Sequence, residues 1–351
     1  MTGGLVTVII RSMGRLLLHM ALGSVGAQEY ENIEVRVVAA SGKSHPALGH
    51  TCGPFPLRLV GTGKQLSRAE AANVGLESAR GEHCMFLDDD DFHDPDHVSG
   101  LMATLEANPD ARVAYSGIKV IGADGGKLGV IESPYDRLAL HERNYIQVGA
   151  ALFERRLVEE GCRFDPGVGS YDDWDFWLQC SERTDFAFHG RPTTNWRSDT
   201  GGSGAGGGAN FDPEVNATSL AAVHGKWAGV REELRQRFAA QAAAGAAALA
   251  RGDLQQAEGH YREALHVHGK DPDVLNDLAR LLHARHAHAE ALACLRTALR
   301  AHPARSDIAC NLARVEMAAG NPAAARALLV ALLRREPENT DARALLQRMS
   351  A

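Results

Sequence analysis

The chain has 351 residues, of which 45% are hydrophobic and 23% charged, and its formal net charge is −7. This composition is typical of a globular protein of about two domains and excludes a largely disordered or fibrous chain. No Lys/Arg-rich run is present, so nucleic-acid binding through phosphate neutralisation is not expected. No apolar stretch approaches the ~20 residues that span a bilayer, so no transmembrane segment is predicted, and no signal peptide either.

Six cysteines are scattered along the chain without a CxxC pair, at positions 52, 84, 162, 180, 294 and 310. This spacing argues against a structural zinc site or a disulfide framework and favours free thiols in a reducing compartment. We therefore predict a cytoplasmic protein, with any attachment to the inner face of a membrane made through a partner.

The first 200 residues alternate between short apolar runs and amphipathic segments. Strands are predicted at 5–10, 33–39, 57–60, 84–87, 148–153 and 186–189, and helices at 16–27, 67–80, 95–107 and 171–181. Short continuous apolar runs are typical of strands buried on both faces. The alternation predicts an α/β domain with a Rossmann-like, mostly parallel sheet, which binds ligands beyond the carboxyl ends of its strands.

From about residue 238 onward the chain is rich in Ala, Leu and Arg and repeats itself every 34 residues, as at Asp273, Asp307 and Asp341. Small residues recur where paired helices must approach closely, and proline follows each second helix. A 34-residue period of two helices is the signature of tetratricopeptide repeats. The repeats are predicted at 238–271, 272–305 and 306–339, with a capping helix at 340–351. Such an all-α solenoid offers a surface for a protein partner.

These patterns predict an N-terminal domain at 1–212, a connecting helix at 213–237 and a repeat domain at 238–351. The net charge is −9 for residues 1–237 and +2 for the remainder. A glycine-rich stretch at 200–209 fits either a mobile lid or a flexible linker.

Three histidines, His283, His286 and His288, crowd into the predicted turn between two repeat helices. A metal site is conceivable there. No acidic partner accompanies them in the sequence, however, and short histidine runs are usually solvated surface. We therefore interpret this segment as an ordinary turn.

The first acidic cluster consists of four consecutive aspartates, Asp88 to Asp91, directly after the strand predicted at 84–87. Adjacent carboxylates repel by about 1 kcal/mol in water and by several times more in a partly dry cleft. A divalent ion that prefers oxygen ligands, bound in turn to a diphosphate, relieves this repulsion. The alternative is a solvated loop that caps the following helix.

The second acidic cluster, YDDWDFW, opens the helix predicted at 171–181. One buried stripe of this helix comprises Trp174, Trp177, Leu178 and Ser181. Asp173 lies beside that stripe at the helix N-terminus. The helix dipole favours its ionised form whereas burial raises its pKa, and a general base needs a balance of the two. The alternative is that Asp172 simply caps the helix.

Taken together, residues 6–200 resemble a family-2 glycosyltransferase of the GT-A fold. The matching segments in chain order are VTVII, SVGAQEYENIEV, AANVGLESARGEHCMFLDDDD, FHDPDHV and YDDWDFWLQ. The resemblance implies an inverting sugar transfer from a nucleotide-diphosphate sugar to a hydroxyl of a carbohydrate, glycolipid or protein acceptor. It also implies a Mn²⁺ or Mg²⁺ cofactor.

The same resemblance implies roles for individual aspartates. Asp88 and Asp90 match the metal-binding positions of the family, with Asp89 and Asp91 adjacent to the donor. Asp173 matches the general base of a Glu-Asp motif. In that motif Asp172 replaces the glutamate and keeps its charge.

This chain departs from the family pattern at several donor contacts. Ala39 and Ala40 stand where many relatives carry acidic residues, and Ala72 stands where an arginine is usual. The residues that remain as candidates for donor binding are Arg11, Ser12, Ala40, Arg68 and Asn73. No histidine completes the metal site late in the domain, where Arg197 and Asp199 are found instead.

Two hypotheses follow for the whole chain. The first is a metal-dependent glycosyltransferase whose repeats bind an acceptor or a protein partner, and Asp90 with Asp173 favours it. The second is a scaffold protein in which a weak or inactive GT-A domain accompanies functional repeats, and the alanines at donor positions favour that.

Overall fold

The computed structural model of the protein describes residues 3–198 and 212–349; Asp199 and the glycine-rich stretch at 200–209 lie outside the described residues. The chain divides into two compact units. The first comprises Met1–Tyr135 and Leu140–Ala228, and the second comprises Asp136–Ala139 and Gly229–Ala351. The helical segment expected to connect the domains, at 213–237, is therefore shared between the two units.

The first unit is built on a sheet that has ten strands within the described residues. They are β1 (Val6–Ser12), β2 (Ile33–Ala39), β3 (Thr51–Cys52), β4 (Phe55–Gly61), β5 (His83–Asp88), β6 (Phe92–His93), β7 (Ala111–Ile121), β8 (Lys127–Ile131), β9 (Ala151–Glu154) and β10 (Asp185–Arg197). Their order is β3-β4-β2-β1-β5-β9-β7-β10-β6, with β8 paired to β7.

The direction of the strands changes across this sheet. Strands β4, β2, β1 and β5 run parallel, as do β7 and β10. Strand β9 lies between these two groups and pairs antiparallel with both β5 and β7. The α/β prediction is confirmed, but the sheet is mixed rather than mostly parallel.

The central strands are buried on both faces, which explains their continuous apolar sequence. Successive side chains point to opposite faces. Ile9 and Phe86 therefore join one core cluster, whereas Val8, Ile10 and Leu87 join the other. The parallel register of β1 and β5 places Arg11 beside Asp88 at the carboxyl ends of both strands.

Helices cover the two faces of the sheet. In chain order they are α1 (Leu18–Gly26), α2 (Arg68–Ser78), α3 (His97–Glu106), α4 (Arg137–Glu142), α5 (Arg156–Glu159), α6 (Asp172–Ser181) and α7 (Pro213–Lys226). Helix α2 begins with a capping box between Ser67 and Glu70. Helix α3 begins after Asp96 and has no side-chain hydrogen bond at its N-cap. The aspartates at 88–91 therefore do not cap this helix.

Helix α7 packs in the first unit, and residues at its C-terminal end are hydrogen-bonded to α6. Asp175 accepts hydrogen bonds from Lys226 Nζ (2.9 Å) and from Trp227 Nε1 (2.7 Å). Val223 of α7 is 1% exposed and belongs to the core cluster that contains Ile9 and Phe86. The connecting segment is thus two helices rather than one, because a second helix starts at Ala228.

The second unit consists largely of paired helices. They are α8 (Ala228–Ala250), α9 (Leu254–Val267), α10 (Pro272–Ala284), α11 (His288–Ala301), α12 (Ser306–Ala318), α13 (Pro322–Arg335) and α14 (Thr340–Arg348). Helices α10, α12 and α14 begin one repeat period apart. The alanines where α9, α11 and α13 meet their partners are fully buried, namely Ala257, Ala291 and Ala325. None of the helices in 3–198 and 212–349 is long and apolar enough to cross a membrane.

The close packing of α2 on the sheet gives a testable consequence. A Cβ added at Gly75 would lie 2.3 Å from Ile9 Cγ2, whereas one at Gly23 in α1 has nothing within 4 Å. We expect Gly75→Ala to lower the free energy of unfolding by about 1–3 kcal/mol through overpacking. Gly23→Ala should raise it by about 0.5–1 kcal/mol.

Urea unfolding followed by tryptophan fluorescence measures this difference, because all four tryptophans lie within the segments of the first unit. Equal unfolding midpoints for the two variants would contradict the close approach of helix and strand.

Candidate active site

A buried arginine joins the end of β5 to the start of α6. Arg11 Nε donates to Asp88 Oδ1 (2.9 Å), and its Nη1 donates to Asp172 Oδ2 (3.2 Å). Arg11 is 6% exposed, and its guanidinium carbon lies 5.9 Å from the centroid of the Phe86 ring. A buried cation requires such paired carboxylates. Arg11 therefore holds the two acidic clusters in one place.

A second arginine reaches the same carboxylates from the first turn of α2. Arg68 Nε lies 3.6 Å from Asp172 Oδ1, and Arg68 Nη2 lies 4.0 Å from Asp88 Oδ2. Burial alone would lower the pKa of Arg68, but the charges of Asp172 and Asp88 outweigh it and raise the pKa. For Asp88, burial favours a higher pKa, yet Arg11 and Arg68 lower it below its ordinary value. Asp88 is consequently ionised near neutral pH.

Asp89 secures the loop that follows β1. Its Oδ2 accepts a hydrogen bond from the backbone N–H of Met13 (2.8 Å), and its Oδ1 accepts one from Arg15 Nε (2.9 Å). Ser12 Oγ lies 3.4 Å from the same carboxylate. Arg15 also extends to Asp90, with its Nη1 3.1 Å from Asp90 Oδ2. Asp89 thus has a structural role in shaping the site.

At Asp90 and Asp91, the C-terminal end of the aspartate run, nearby cations compensate the negative charge less than they do at Asp88. Burial and the neighbouring charge of Asp88 raise the pKa of Asp90. Burial followed by the charges of Asp88 and Asp90 raises the pKa of Asp91 well above its ordinary value. Asp91 accepts hydrogen bonds from Gln147 Nε2 (2.9 Å) and from the backbone N–H of Arg197 (2.8 Å). A proton or a metal cation would stabilise this end of the cluster.

Asp173 is oriented by two donors and has a raised pKa. Its Oδ1 accepts hydrogen bonds from the Trp174 N–H (2.7 Å) and from Asn144 Nδ2 (3.2 Å). Burial, followed by the charge of Asp172, raises the pKa of Asp173 to about 6, although Arg68 and Arg11 oppose the shift. The side chain of Asp172 does not cap α6, because the helix has no side-chain capping bond. It instead pairs with the two arginines.

The two acidic clusters line one cleft of about 850 Å³, which contains Asp88, Asp90 and Asp91 as well as Asp173. Its aromatic and aliphatic lining includes Ile118, Val130, Ile131, Tyr145, Tyr171, Trp174 and Trp196. A smaller cavity of about 80 Å³ is lined by residues that include Arg11, Ser12, Arg15, Ala40 and Asp89. Arg68, Asp88 and Asp90 line both cavities. Asp90 and Asp173 therefore share a cleft, as their expected roles as metal ligand and general base require.

Three other candidates for donor or metal contacts were predicted from the sequence, namely Asn73, Arg197 and Asp199. The Asn73 side chain is engaged with the backbone of Phe164, donating to its carbonyl (2.8 Å) and accepting from its N–H (3.1 Å), and it lines neither cavity. The structure thus shows a structural role for Asn73, and its contact with the donor stays a prediction from the sequence. Arg197 lines the large cleft, whereas Asp199 lies outside the described residues.

Three residues of the site were missed by sequence reasoning. Arg15 follows the carboxyl end of β1, where ligand-binding loops of such sheets occur, and that position could have identified it. Asn144 and Gln147 lie between α4 and β9 in a segment without a recognisable motif. Only the folded chain brings them to Asp173 and Asp91.

The acidic cleft lies at the ends of parallel strands, and arginines bridge its carboxylates. The same chain also carries helical repeats. The class of protein is therefore one with an α/β domain that holds the cleft and a separate repeat domain. Residues 8–147 match the model of glycosyl transferase family 2, and residues 248–309 and 282–349 match that of the tetratricopeptide repeat. The chain contains a glycosyltransferase family 2 domain followed by tetratricopeptide repeats, which confirms the resemblance inferred from its sequence motifs.

Several curated proteins are similar to about half of the chain. An uncharacterized protein y4gI of Sinorhizobium fredii is 30% identical over 199 residues, covering 54% of this chain and 22% of that protein. The uncharacterized glycosyltransferase YwdF of Bacillus subtilis is 24% identical over 187 residues, covering 50% and 68%. The succinoglycan biosynthesis protein ExoO of Rhizobium meliloti is 28% identical over 173 residues, covering 44% and 49%. The matched region spans about a fifth of the first of these and about half of the third.

Solved structures are similar to this chain at lower sequence identity than these proteins. The crystal structure of S. aureus TarS 1-349 in complex with UDP-GlcNAc is 12% identical at a TM-score of 0.47, covering 96% of this chain and 93% of that one. The first TPR of Spaghetti (RPAP3) bound to an HSP90 peptide is 16% identical at a TM-score of 0.31, covering 33% and 91%. Both TM-scores are below 0.5, so neither structure indicates the substrate of this chain.

The raised pKa of Asp173 predicts that this residue destabilises the fold above its titration range. Its stabilising contribution is present below the ordinary pKa of 3.8 and is lost as the pH rises through about 6. We expect Asp173→Asn to raise the free energy of unfolding by about 3 kcal/mol at pH 8 and by little at pH 4.

Asp165 provides the matched control with the opposite sign. Hydrogen bonds from Lys226 and from the Gly167 N–H lower its pKa, so the ionised form stabilises the fold and the benefit is lost at low pH. Asp165→Asn should therefore destabilise the first unit at pH 8 but not at pH 3. Urea unfolding of both variants across this pH range checks the assignment, and the same effect of Asp173→Asn at pH 4 and pH 8 would refute it.

Proposed function

We propose that the N-terminal unit is an inverting glycosyltransferase that transfers a sugar from a nucleotide-diphosphate sugar to an acceptor hydroxyl. The observation that carries the proposal is the shared cleft, in which Asp173, with a pKa of about 6, lines the same space as Asp88 and Asp90. The match of residues 8–147 to glycosyl transferase family 2 supports this reaction class.

Asp173 is the proposed general base. Its carboxylate is mostly ionised at pH 7, and with a pKa of about 6 it is more basic than an ordinary aspartate. Asn144 and the Trp174 N–H hold it in a fixed orientation. Asp173 removes the acceptor proton while the acceptor oxygen attacks the anomeric carbon on the face opposite the departing nucleotide. One displacement inverts the configuration and needs no covalent intermediate.

The arginines divide between positioning and donor binding. Arg11 is committed to Asp88 and Asp172 and is buried, so its proposed role is to position the two acidic clusters. Arg68 lines both cavities and is 28% exposed at its side chain, which suits a contact to the diphosphate of the donor. Ala40 and Ser12 complete the wall of the smaller cavity.

The carboxylates of the aspartate run fit a hard divalent ion. Asp88 and Asp90 would hold Mg²⁺ or Mn²⁺, and the raised pKa of Asp90 supports the addition of positive charge at this position. Within the described residues no group of three or more His, Cys, Asp or Glu side chains could hold a metal ion. When bound, the ion supplies neutralisation of the charge on the departing nucleoside diphosphate.

The acceptor and the partner are proposed more broadly. The relative ExoO is a succinoglycan biosynthesis protein, and we propose a carbohydrate or glycolipid acceptor for this chain. The tetratricopeptide repeats are proposed to bind a protein partner, or a protein acceptor, on their helical surface. A cytoplasmic location remains a prediction from the sequence.

The role of Asp173 can be tested by turnover. A panel of uridine, guanosine and thymidine diphosphate sugars with Mn²⁺ is scored for released nucleoside diphosphate, because slow hydrolysis of the donor proceeds without an acceptor. We expect Asp173→Asn to lower turnover by about 10²- to 10⁴-fold while nucleotide binding is retained. Asp165→Asn is the control, because Asp165 does not line the cleft.

Two outcomes would redirect the interpretation. Unchanged turnover in Asp173→Asn would place the base elsewhere. If the wild-type protein also shows no stabilisation by any of the three nucleoside diphosphates, where about 2.7 kcal/mol is expected at 100 times Kd, the scaffold hypothesis is favoured.

Metal dependence has its own test. Chelation should abolish turnover, and added Mn²⁺ or Mg²⁺ should restore it. Asp90→Asn removes one proposed ligand, so we expect it to need at least about tenfold more Mn²⁺ for half-maximal turnover. Asp110→Asn, on an exposed turn before β7, should behave as wild type. Full activity after chelation, or the same Mn²⁺ requirement in both variants, would contradict the assignment.

A further inference from the structure

Trp196 differs from the other three tryptophans of the chain in its side-chain contacts. Trp174, Trp177 and Trp227 each donate the indole N–H to an acceptor at 2.6–2.9 Å and contact a neighbouring aromatic ring. Within residues 3–198 and 212–349 the half-buried side chain of Trp196 does neither. Buried indole N–H groups usually find a hydrogen-bond partner. Trp196 therefore has an aromatic face and a hydrogen-bond donor that the fold does not use.

The backbone around Trp196 is held firmly at the carboxyl end of β10. The preceding residue, Asn195, is 4% exposed and donates to Asp94 Oδ1 (2.9 Å). The backbone N–H of the following residue, Arg197, donates to Asp91 Oδ1 (2.8 Å). Strand β10 is paired with both β6 and β7 at this point. The indole is thus carried by a rigid strand directly beside the aspartate run.

Trp196 lines the cleft of about 850 Å³ that contains Asp173, and it does not line the smaller cavity. Two half-buried side chains, Tyr145 and Tyr171, line the same cleft, as does Ile131, which is 40% exposed. Apolar and aromatic walls with a few polar groups are typical of sites that bind small organic ligands. Because the acceptor hydroxyl must reach Asp173, the acceptor occupies this cleft and meets this wall.

The charges of the cleft disfavour an anionic acceptor. The proposed divalent ion is offset by the diphosphate of the donor, so the protein groups decide the remaining charge. The lining contains six carboxylates but three guanidinium groups, namely Asp88, Asp90, Asp91, Glu132, Glu142 and Asp173 against Arg68, Arg143 and Arg197. A phosphorylated or uronic-acid acceptor would be repelled by this excess of negative charge. The cleft therefore suits a neutral acceptor.

Two exposed polar residues of the cleft lack an ion-pair partner. Glu132 and Arg143 both line it, and in the part of the chain that the structure describes neither forms a salt bridge. The first accepts hydrogen bonds and the second donates them. Hydroxyl groups do both, so a polyhydroxylated ligand can use this pair together with the indole N–H of Trp196.

We propose that Trp196 determines acceptor specificity by stacking against the ring of a neutral sugar, so that the acceptor hydroxyl belongs to a saccharide. This inference rests on the proposed glycosyltransferase function. One face of a pyranose ring consists of C–H groups whose partial positive charge complements the negative face of an aromatic ring. The rim of the sugar carries the hydroxyl groups. A serine or threonine of a protein acceptor offers no such ring face.

The test uses full-length protein with ¹⁵N-labelled tryptophan, with and without nucleoside diphosphate and Mg²⁺. Four indole N–H signals are expected in the NMR spectrum, and Trp196→Phe identifies the signal of Trp196. The probes are the neutral disaccharides maltose, cellobiose, lactose and chitobiose. At least one should shift the Trp196 signal and leave that of the core residue Trp177 in place. Saturation-transfer NMR should show that Trp196→Ala binds the same disaccharide at least about tenfold more weakly.

Two controls accompany this measurement. Leu128→Ala removes an apolar side chain of β8 that is 65% exposed but does not line the cleft, so it should bind as wild type. The three remaining indole signals should keep their positions in Trp196→Ala, which shows that the variant is folded. Trp196→Phe keeps an aromatic face and should retain more of the affinity than Trp196→Ala.

Acceptor-free hydrolysis of the donor separates this inference from the proposed function. Absence of hydrolysis in the wild-type protein counts against the proposed function, whereas the stacking inference is judged by the disaccharides. It is overturned if none of the four shifts the Trp196 signal, or if Trp196→Ala retains wild-type affinity. A loss of acceptor-free hydrolysis in Trp196→Ala as large as its loss of disaccharide affinity would assign the indole to the donor sugar and also overturn it.

Discussion

The buried guanidinium of Arg11 is the contact on which the arrangement of the cleft depends. It is nearly inaccessible to water and is compensated by Asp88 on one side and Asp172 on the other. Removing one partner of such a buried pair typically costs about 3–5 kcal/mol, because it leaves an unpaired charge in the interior. These ion pairs hold α6 against the end of β5, and Asp173 directly follows Asp172 in the chain. The position of the proposed base is therefore set by the ion pairs of Arg11, one of which includes the proposed metal ligand Asp88.

Six aspartates of one site acquire different properties from their surroundings. Asp88, beside two arginines, has a lowered pKa, whereas Asp90 and Asp91, farther along the same run, have raised ones. Burial and the charge of the adjacent Asp172 raise the pKa of Asp173 to about 6. Residue type alone does not distinguish these carboxylates. The distribution of cations around them distinguishes the residues that pair with Arg11 from the proposed metal site and the proposed general base.

Elements with local signals were predictable from the sequence. Strand β2 occupies the predicted residues 33–39, α2 begins after its Ser67 cap, and α10 and α12 begin where the 34-residue period predicts. Strand β7 was missed because polar residues such as Ser116 and Lys119 interrupt its apolar pattern. The antiparallel direction of β9 follows from tertiary pairing, which no local pattern records. The hydrogen bonds of Asn73 could not be predicted for the same reason, since its partner is 91 residues away.

Helix α6 combines three functions within its first turn. Asp172 meets the arginines, Asp173 faces the cleft, and Asp175 anchors the end of α7. Successive residues of an α-helix are rotated by about 100° from one another. One extra or missing residue at the start of α6 would therefore turn all three carboxylates away from their partners at once. The start of α6 therefore tolerates neither an insertion nor a deletion, because either one would rotate the three carboxylates out of register with their partners.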